Sequence, residues 1–242
     1  MLRYLYLDLA LGLIAVLVLV WITRRDLRSV ILTVGPVGSL IEMVTDQLWY
    51  KHDYWHPPVL LPAHMALIED ALYGFAATAL AACAVAYLVP PPWARSRRIY
   101  QEGRRPRHAF AWLATTLLAY VAMIELLVRL THLNSTWAAS ASFAVIGLVG
   151  IYVRRNLWRL GLIAGLIMAA GMFLVYFVSL DYVVDGDAFL RHIYLLYGTR
   201  ADIRVPGTNV LLDELAWNLC RGWCVAVMYP LLTGKRLVLT TR

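Results

Sequence analysis

Two short stretches of this chain place adjacent carboxylates inside apolar sequence. Residues 67–75 read LIEDALYGF and residues 211–219 read LLDELAWNL. Glu69 aligns with Asp213, Asp70 with Glu214 and Tyr73 with Trp217, at an offset of 144 residues throughout. Paired carboxylates in a poorly solvated cavity do not all ionise, because burial and like charge both oppose the second charge. One stays a proton donor. Its ionised neighbour accepts a proton or stabilises developing positive charge, so the pair can act as a general acid and base. Tyr73 and Trp217 stand at i+4 from Glu69 and Asp213, one helical turn further along the same face. Their ring faces suit a cation.

Such residues must be positioned by apolar elements. Of 242 residues 61% are hydrophobic and 15% charged, with a mean hydropathy of +0.66. Soluble domains carry about 25% charged residues, so a soluble enzyme and a disordered chain are both disfavoured and an integral-membrane protein is expected. The pattern predicts an all-α membrane domain with seven transmembrane helices at 5–22, 29–48, 63–89, 109–130, 137–153, 160–181 and 209–232. The arginines Arg24, Arg25 and Arg28 follow the first apolar run, whereas a cleaved leader carries its charge before that run. The first helix is therefore expected to be retained.

Charge sets the expected orientation. Segments 23–28, 90–108, 154–159 and 233–242 hold 15 of the 22 basic residues and only two acids, Asp26 and Glu102. Basic loops stay cytoplasmic, so the amino terminus is expected outside and the carboxyl terminus inside. The net charge of +7 thus reads as topology, and no nucleic-acid partner is expected. Residues 1–90 form a first three-helix repeat, 91–136 a cytoplasmic loop and linking helix, and 137–242 a second repeat. An odd linking helix makes the two repeats parallel.

Other groups read as cavity lining or as structural pairs. Glu42 and Asp46 form an i,i+4 acid pair near the outer end of the second span, and Asp181 holds a similar place in the sixth. Acids within spans are costly, about 2.5–3.5 kcal/mol for Asp at a helix centre on insertion scales. Their number favours a polar cavity near the outer leaflet. Arg221, at i+7 from Glu214, is a candidate structural partner for that acid, and Glu125 with Arg129 reads as an i,i+4 salt bridge. The loop WYKHDYWHPP at 49–58 reads as interfacial, and 188–197 as an amphipathic surface helix. His52, His56, His64, His132 and His192 fall on the outer side, yet with Asp53 and Glu69 they form no recognised ligand spacing. No metal and no cofactor are expected. Lys51 and Lys235, the only lysines, are expected outside helices, which argues against a retinal Schiff base. Cys83, Cys220 and Cys224 lie in apolar runs and suggest no disulfide.

Acids and aromatic walls in a lipid-facing cavity suit the cyclisation of a polyene. At these motifs the chain resembles the lycopene cyclase domain family, whose halves each carry an Asp, an aromatic outer loop and a Pro-x-Glu-Glu-like motif followed by aromatics. Asp46, Trp49 and Trp55 precede Ile68, Glu69, Asp70 and Phe75 here; Asp181 precedes Leu212, Asp213, Glu214 and Trp217. Leu67 and Leu211 stand where the motif has proline. The resemblance covers most of 29–90 and 160–232. The chain is also similar to the seven-helix membrane terpene cyclases of fungal meroterpenoid pathways. These resemblances imply proton-initiated, redox-neutral cyclisation of an isoprenoid alkene or epoxide, with Glu69, Asp70, Asp213 and Glu214 catalytic. They imply that Asp46, Trp49, Trp55, Tyr73, Asp181 and Trp217 meet the substrate. The partners are then an isoprenoid or other lipid-soluble substrate and the membrane lipid; in a bacterium the location is the plasma membrane. The rival expectations are a proton-coupled transporter or lipid-binding protein, a structural subunit with ion-paired helices, and a sterol isomerase-like enzyme.

Overall fold

Among the described residues seven long helices form where the apolar runs are longest. The computed structural model describes residues 5–56, 67–88, 100–101, 108–234 and 236–237. His64, Glu102, Lys235, Arg242 and the arginines at 95, 97, 98, 104, 105 and 107 lie outside the described residues. Helix α1 is Leu5–Thr23, α2 Arg28–Thr45, α3 Leu67–Leu88, α4 Ala109–Thr131, α5 Ser135–Val153 and α6 Trp158–Val178. A short helix, α7, covers Gly186–Ile193, and α8 covers Leu212–Thr233. Apart from a two-residue antiparallel pairing of Tyr100–Gln101 with Arg236–Leu237, the described residues form helices and the turns between them.

Six helical runs are long and apolar enough to cross a membrane: α1, α2 with its extension to Asp53, α3, α4, α5, and α6 with its extension to Val183. Their length and composition are consistent with a multi-pass integral-membrane protein. Helix α8 is not among the six. It carries Asp213, Glu214, Asn218 and Arg221, of which all but Glu214 are almost fully buried, and it packs on α5, α6 and α3.

Helices α2 and α6 do not stop where apolar periodicity ends. Each runs into a π-helical segment, Asp46–Tyr50 and Ser179–Val183. A π turn inserts one residue and re-aims the side chains beyond it, and such turns occur often at functional sites. After the first one the helix continues through Lys51–Asp53. This corrects the expectation that no lysine lies in a helix: Lys51 does, and its Nζ sits 2.6 Å from Asp46 Oδ2. Helix placement therefore gives no ground for excluding a Schiff base at Lys51.

Helix starts are tied down by side chains. The Asp53 carboxylate accepts from the Ser135 N–H at 2.9 Å and from its hydroxyl. Asn134 accepts from Trp137 N–H at 2.9 Å. Together they satisfy two of the free amides at the start of α5, those of Ser135 and Trp137. Tyr6 donates to Asp70 at 3.0 Å, and Arg24 donates to the Ala86 carbonyl at 2.8 Å. These bonds join the start of α1 to the start of α3 and the end of α1 to the end of α3.

Glycines let the acid-bearing helices approach their partners. A Cβ on Gly74 of α3 would meet the Gly38 carbonyl oxygen of α2 at 2.5 Å. One on Gly165 of α6 would meet the Leu219 carbonyl oxygen of α8 at 2.7 Å, and one on Gly222 the Ala164 carbonyl oxygen at 2.9 Å. Small residues at such crossings give membrane helices their packing energy. Gly74→Ala is expected to lower stability by about 1–3 kcal/mol through overpacking. Gly12 and Gly171 face open space, so their alanine variants should unfold at the wild-type temperature in detergent.

Candidate functional site

The π turn of α2 sends Tyr50, Tyr54 and Trp55 toward the start of α8, where the acid pair sits. Tyr54 donates to Glu214 Oε1 at 2.8 Å, and Tyr176 of α6 donates to Glu214 Oε2 at 2.9 Å. Tyr176 and Tyr73 hydroxyls are 3.1 Å apart. With the Tyr176 proton on Glu214, Tyr73 must donate to Tyr176, which makes a chain from Tyr73 through Tyr176 to the carboxylate. Tyr54 also reaches Asp213, whose Oδ1 accepts from it at 3.3 Å; Asp213 accepts further from Tyr194 at 3.2 Å and from the Glu214 backbone N–H at 2.9 Å. Burial, then the adjacent Asp213 and Glu214 carboxylates, push the Tyr54 phenol well above its ordinary range, so it remains a donor.

Glu214 opens onto two adjoining cavities that share Tyr54, Trp55, Tyr73 and Tyr176. The larger encloses about 570 Å³ between its atoms, counting its open side, and adds Tyr6, Leu9 and Leu180 to the wall. The smaller encloses about 270 Å³ and adds Glu42, Tyr50, Thr136 and Trp217. Rings dominate both. Tyr73 and Trp217 stack with centroids 6.1 Å apart, and Trp55 meets Tyr6 edge-on at 4.6 Å. Carboxylates on an aromatic wall out of water can give up or take a proton beside rings that stabilise a cation.

The roof comes from two loops. Residues 54–56 pair with 193–195: His56 N–H donates to the Ile193 carbonyl at 2.7 Å and Leu195 N–H to the Tyr54 carbonyl at 2.9 Å. The expected amphipathic surface helix forms at Gly186–Ile193, displaced toward its amino end, and buries Phe189, Leu190 and Ile193. Those three side chains line the larger cavity, so its apolar face closes the site instead of resting on a bilayer surface.

Of the residues singled out by sequence, Glu42, Glu214, Trp55, Tyr73 and Trp217 line these cavities. Glu69 and Asp70 are buried but do not line them; Asp70 is held by Tyr6. Asp213 stands behind Glu214. Asp46 is engaged by Lys51. Trp49 donates from its indole to Glu125 at 2.8 Å, and Glu125 also makes the expected ion pair with Arg129. Asp181 accepts from the backbone and side chain of Asn209, anchoring the loop that precedes α8. Sequence reading did not name Tyr54, Tyr176 or Tyr6. Tyr54 was visible in the aromatic 49–58 loop but read as interfacial, and no local pattern marks Tyr176.

Arg221 corrects one pairing. It lies two turns beyond Glu214, about 10 Å along the axis at 1.5 Å per residue, and turns to α2 and α3 instead. Its Nη1 is 3.6 Å from Glu42 Oε2, and its Nη2 donates to Thr78 at 2.7 Å and to the Gly74 carbonyl at 3.1 Å. Its guanidinium lies 4.5 Å from the Trp217 ring centroid. Among the described residues no group of three His, Cys, Asp or Glu side chains is arranged to hold a metal.

A second polar cluster clamps the roof from the solvent side. Arg204 pairs with Asp202 at 2.9 Å and with Asp187 at 3.0 Å, and Tyr197 donates to Asp187 at 2.9 Å. The Tyr197 and Arg204 bonds hold the Asp187 carboxyl below its usual range, and Arg204 does the same for Asp202. Lowered folded-state values mean the clamp stabilises fully above the unfolded value of about 4 and fades as pH falls through the lowered ones. Protection of the 187–204 amides, as the exchange rate relative to the unfolded chain at the same pH, should accordingly stay constant from neutral pH down and fall only below about pH 4. An onset near pH 6 would contradict this assignment.

Compared with known proteins, the chain matches no family model, no curated protein and no solved structure.

Proposed function

We propose that the protein is an integral-membrane cyclase that closes rings in an isoprenoid alkene or epoxide by protonation, without a change in oxidation state. The observation that carries this reading is the Glu214 carboxylate on the wall of an aromatic cavity, held by two tyrosine hydroxyls. In the alkene case the Glu214 carboxylic acid adds its proton to one carbon of a terminal double bond. The adjacent carbon becomes the cation, the next double bond attacks it, and a ring closes. Loss of a C–H proton from the new cation regenerates an alkene. Glu42, on the same wall, is the candidate acceptor of that proton. In the epoxide case the proton goes to the ring oxygen, a C–O bond breaks, and the same steps follow. Tyr73 and Trp217 shield the cation. Glu69, Asp70 and Asp213 act behind this wall as positioning residues in either case, and substrate meets Trp55 before Asp46, Trp49 or Asp181.

In this reading α8 is the seventh span, the amino terminus is outside and the carboxyl terminus inside. The bonds that join both ends of α1 to the corresponding ends of α3 support a parallel course for those helices. A parallel repeat is supported by recurring local geometry. Helices α1 and α5 each have 19 residues. Each is followed by an arginine, Arg24 (φ −127°, ψ 79°) or Arg154 (φ −142°, ψ 83°), and then by a 3-10 turn, Arg25–Leu27 or Arg155–Leu157. Each half then has a long helix, a π turn and an acid pair opening the next long helix. The experiment is expression in lycopene-producing cells, with a terminal-epoxide prenyl substrate supplied separately to membranes. A cyclic isomer of unchanged mass that vanishes in Glu214→Gln is expected. Folded protein that yields no isomer from either substrate would overturn the reading.

A further inference from the structure

The two halves of the chain turn the same corner with different charges. In each, a long helix ends at an arginine and a 3-10 turn leads into the next helix. At a constant offset of 130 residues Arg24 matches Arg154, Arg25 matches Arg155, Asp26 matches Asn156 and Leu27 matches Leu157. Both leucines are buried, so each turn is pinned to the core while the arginine and the Asp or Asn before the leucine stay exposed.

The first corner satisfies itself. Arg24 makes two bonds of 3.0 Å to the Asp26 carboxylate and a third to the Ala86 carbonyl. Arg28 donates to the Trp21 carbonyl at 2.9 Å and lies over its ring. The second corner lacks the acid. Asn156 stands in the place of Asp26, and residues 126–180 contain no Asp or Glu. Arg155 and Arg159 are exposed, and neither has a carboxylate partner among the described residues. Arg159 lies over the Trp158 ring, 5.3 Å from its centroid.

These charges cap an apolar groove. Leu148, Ile151 and Tyr152 line it with Arg155, Asn156 and Trp158. The first three stand at i, i+3 and i+4 near the end of α5, on one face of the helix. Leu148, Tyr152 and Trp158 are exposed. The corner joins two helical runs that are each long and apolar enough to cross a membrane. A groove that is apolar along the helix and cationic at its end therefore lies where hydrocarbon meets water, the depth that Trp and Tyr favour. Hydrocarbon followed by positive charge is complementary to a lipid with an anionic headgroup. Guanidinium groups take phosphate oxygens in paired, charge-assisted bonds. The Asn156 amide adds a donor without the negative charge that Asp26 brings to the first corner.

We infer that the corner between α5 and α6 binds an anionic phospholipid, with its phosphate at Arg155, Asn156 and Arg159 and an acyl chain along Leu148 and Ile151. The site depends on the chain lying in a membrane and not on the reaction at Glu214.

The test uses full-length protein in phosphatidylcholine nanodiscs with a trace of photoactivatable lipid. One probe is phosphatidylglycerol and the other phosphatidylcholine, each with a diazirine on the same acyl chain. A basic residue at an anionic surface is worth about fivefold in affinity. The phosphatidylglycerol probe should therefore label 148–159 at least about tenfold more than the phosphatidylcholine probe does. Excess unlabelled phosphatidylglycerol should displace it, and inorganic phosphate at the same concentration should not. The double variant Arg155→Gln with Arg159→Gln should abolish the preference. Asn156→Asp, which restores the acid of the first corner, should cut phosphatidylglycerol labelling about fivefold and leave phosphatidylcholine labelling unchanged. Arg25→Gln, in the first corner, should change neither. Equal labelling of 148–159 by the two probes would overturn the proposal in favour of general lipid contact. Displacement by inorganic phosphate would overturn it in favour of a free-anion site. A preference that survives the double variant, or a phosphatidylglycerol label that falls outside 148–159, would also overturn it. The comparison of probes on the wild-type protein needs no substitution, so it decides the matter even where a variant fails to fold.

Discussion

Glu214→Gln is expected to cut cyclisation by about 10²–10⁴-fold, the range for loss of a general acid, while the protein unfolds at the wild-type temperature. Glutamine keeps the shape of the side chain. Its carbonyl still accepts from one of the two tyrosines, Tyr54 or Tyr176, that hold Glu214, but it has no acidic proton to give. Glu69→Gln is expected to behave differently. Glu69 is 1% exposed and does not line the cavities around Glu214, so turnover should stay of the same order and any loss should follow stability. Turnover in membranes, measured beside the thermal midpoint of the purified variants, separates the two. Equal loss in both variants at unchanged midpoint would contradict the assignment of Glu214 as the acid.

The largest expected effect on stability is at Arg221. Its side chain is 1% exposed and Glu42 is 3% exposed, so each would leave the other without its ionic partner. Arg221→Met also removes the donors to Thr78 and the Gly74 carbonyl, which tie α8 to α3. Breaking one side of a buried pair costs about 3–5 kcal/mol, which predicts a strongly lowered unfolding midpoint for Arg221→Met. The double variant Arg221→Met with Glu42→Gln leaves no unpaired charge and should be more stable than Arg221→Met alone, with a coupling of about 0.5–3 kcal/mol between the sites. Additive losses would mean that the two groups act independently.

The helices and the recurrence of the acid pairs were legible because both are local patterns. Among the described residues apolar run length located seven helices to within a few residues, and the offset of 144 matches Glu69 with Asp213 in the sequence. Partner choice was not legible, because it depends on geometry between distant residues. Arg221 was matched to Glu214 on its own helix face, whereas its partner Glu42 lies on α2. Trp49 read as a substrate contact but is bonded to Glu125 on α4. The π turns shifted the remaining expectations. They extend α2 through Lys51, and no residue type marks the inserted residue. Glu42 was recognised as a lining candidate, yet its place on the same wall as Glu214 emerges only from the packing of α2 against α8 across α3. Tyr176 belongs to an apolar run in which tyrosine is unremarked, and only the fold brings it to Glu214.

The most direct test of proton-initiated cyclisation is to run the reaction on a linear polyene in D₂O and weigh the product. An exchangeable carboxylic acid delivers deuterium to carbon, and the final step removes a proton from carbon. The account therefore predicts a cyclic product about one mass unit heavier than the substrate, one hydrogen replaced by deuterium on the carbon that received the initiating proton, and none from Glu214→Gln. A cyclic product formed in D₂O without deuterium on carbon, or one lighter by two hydrogens, would contradict it.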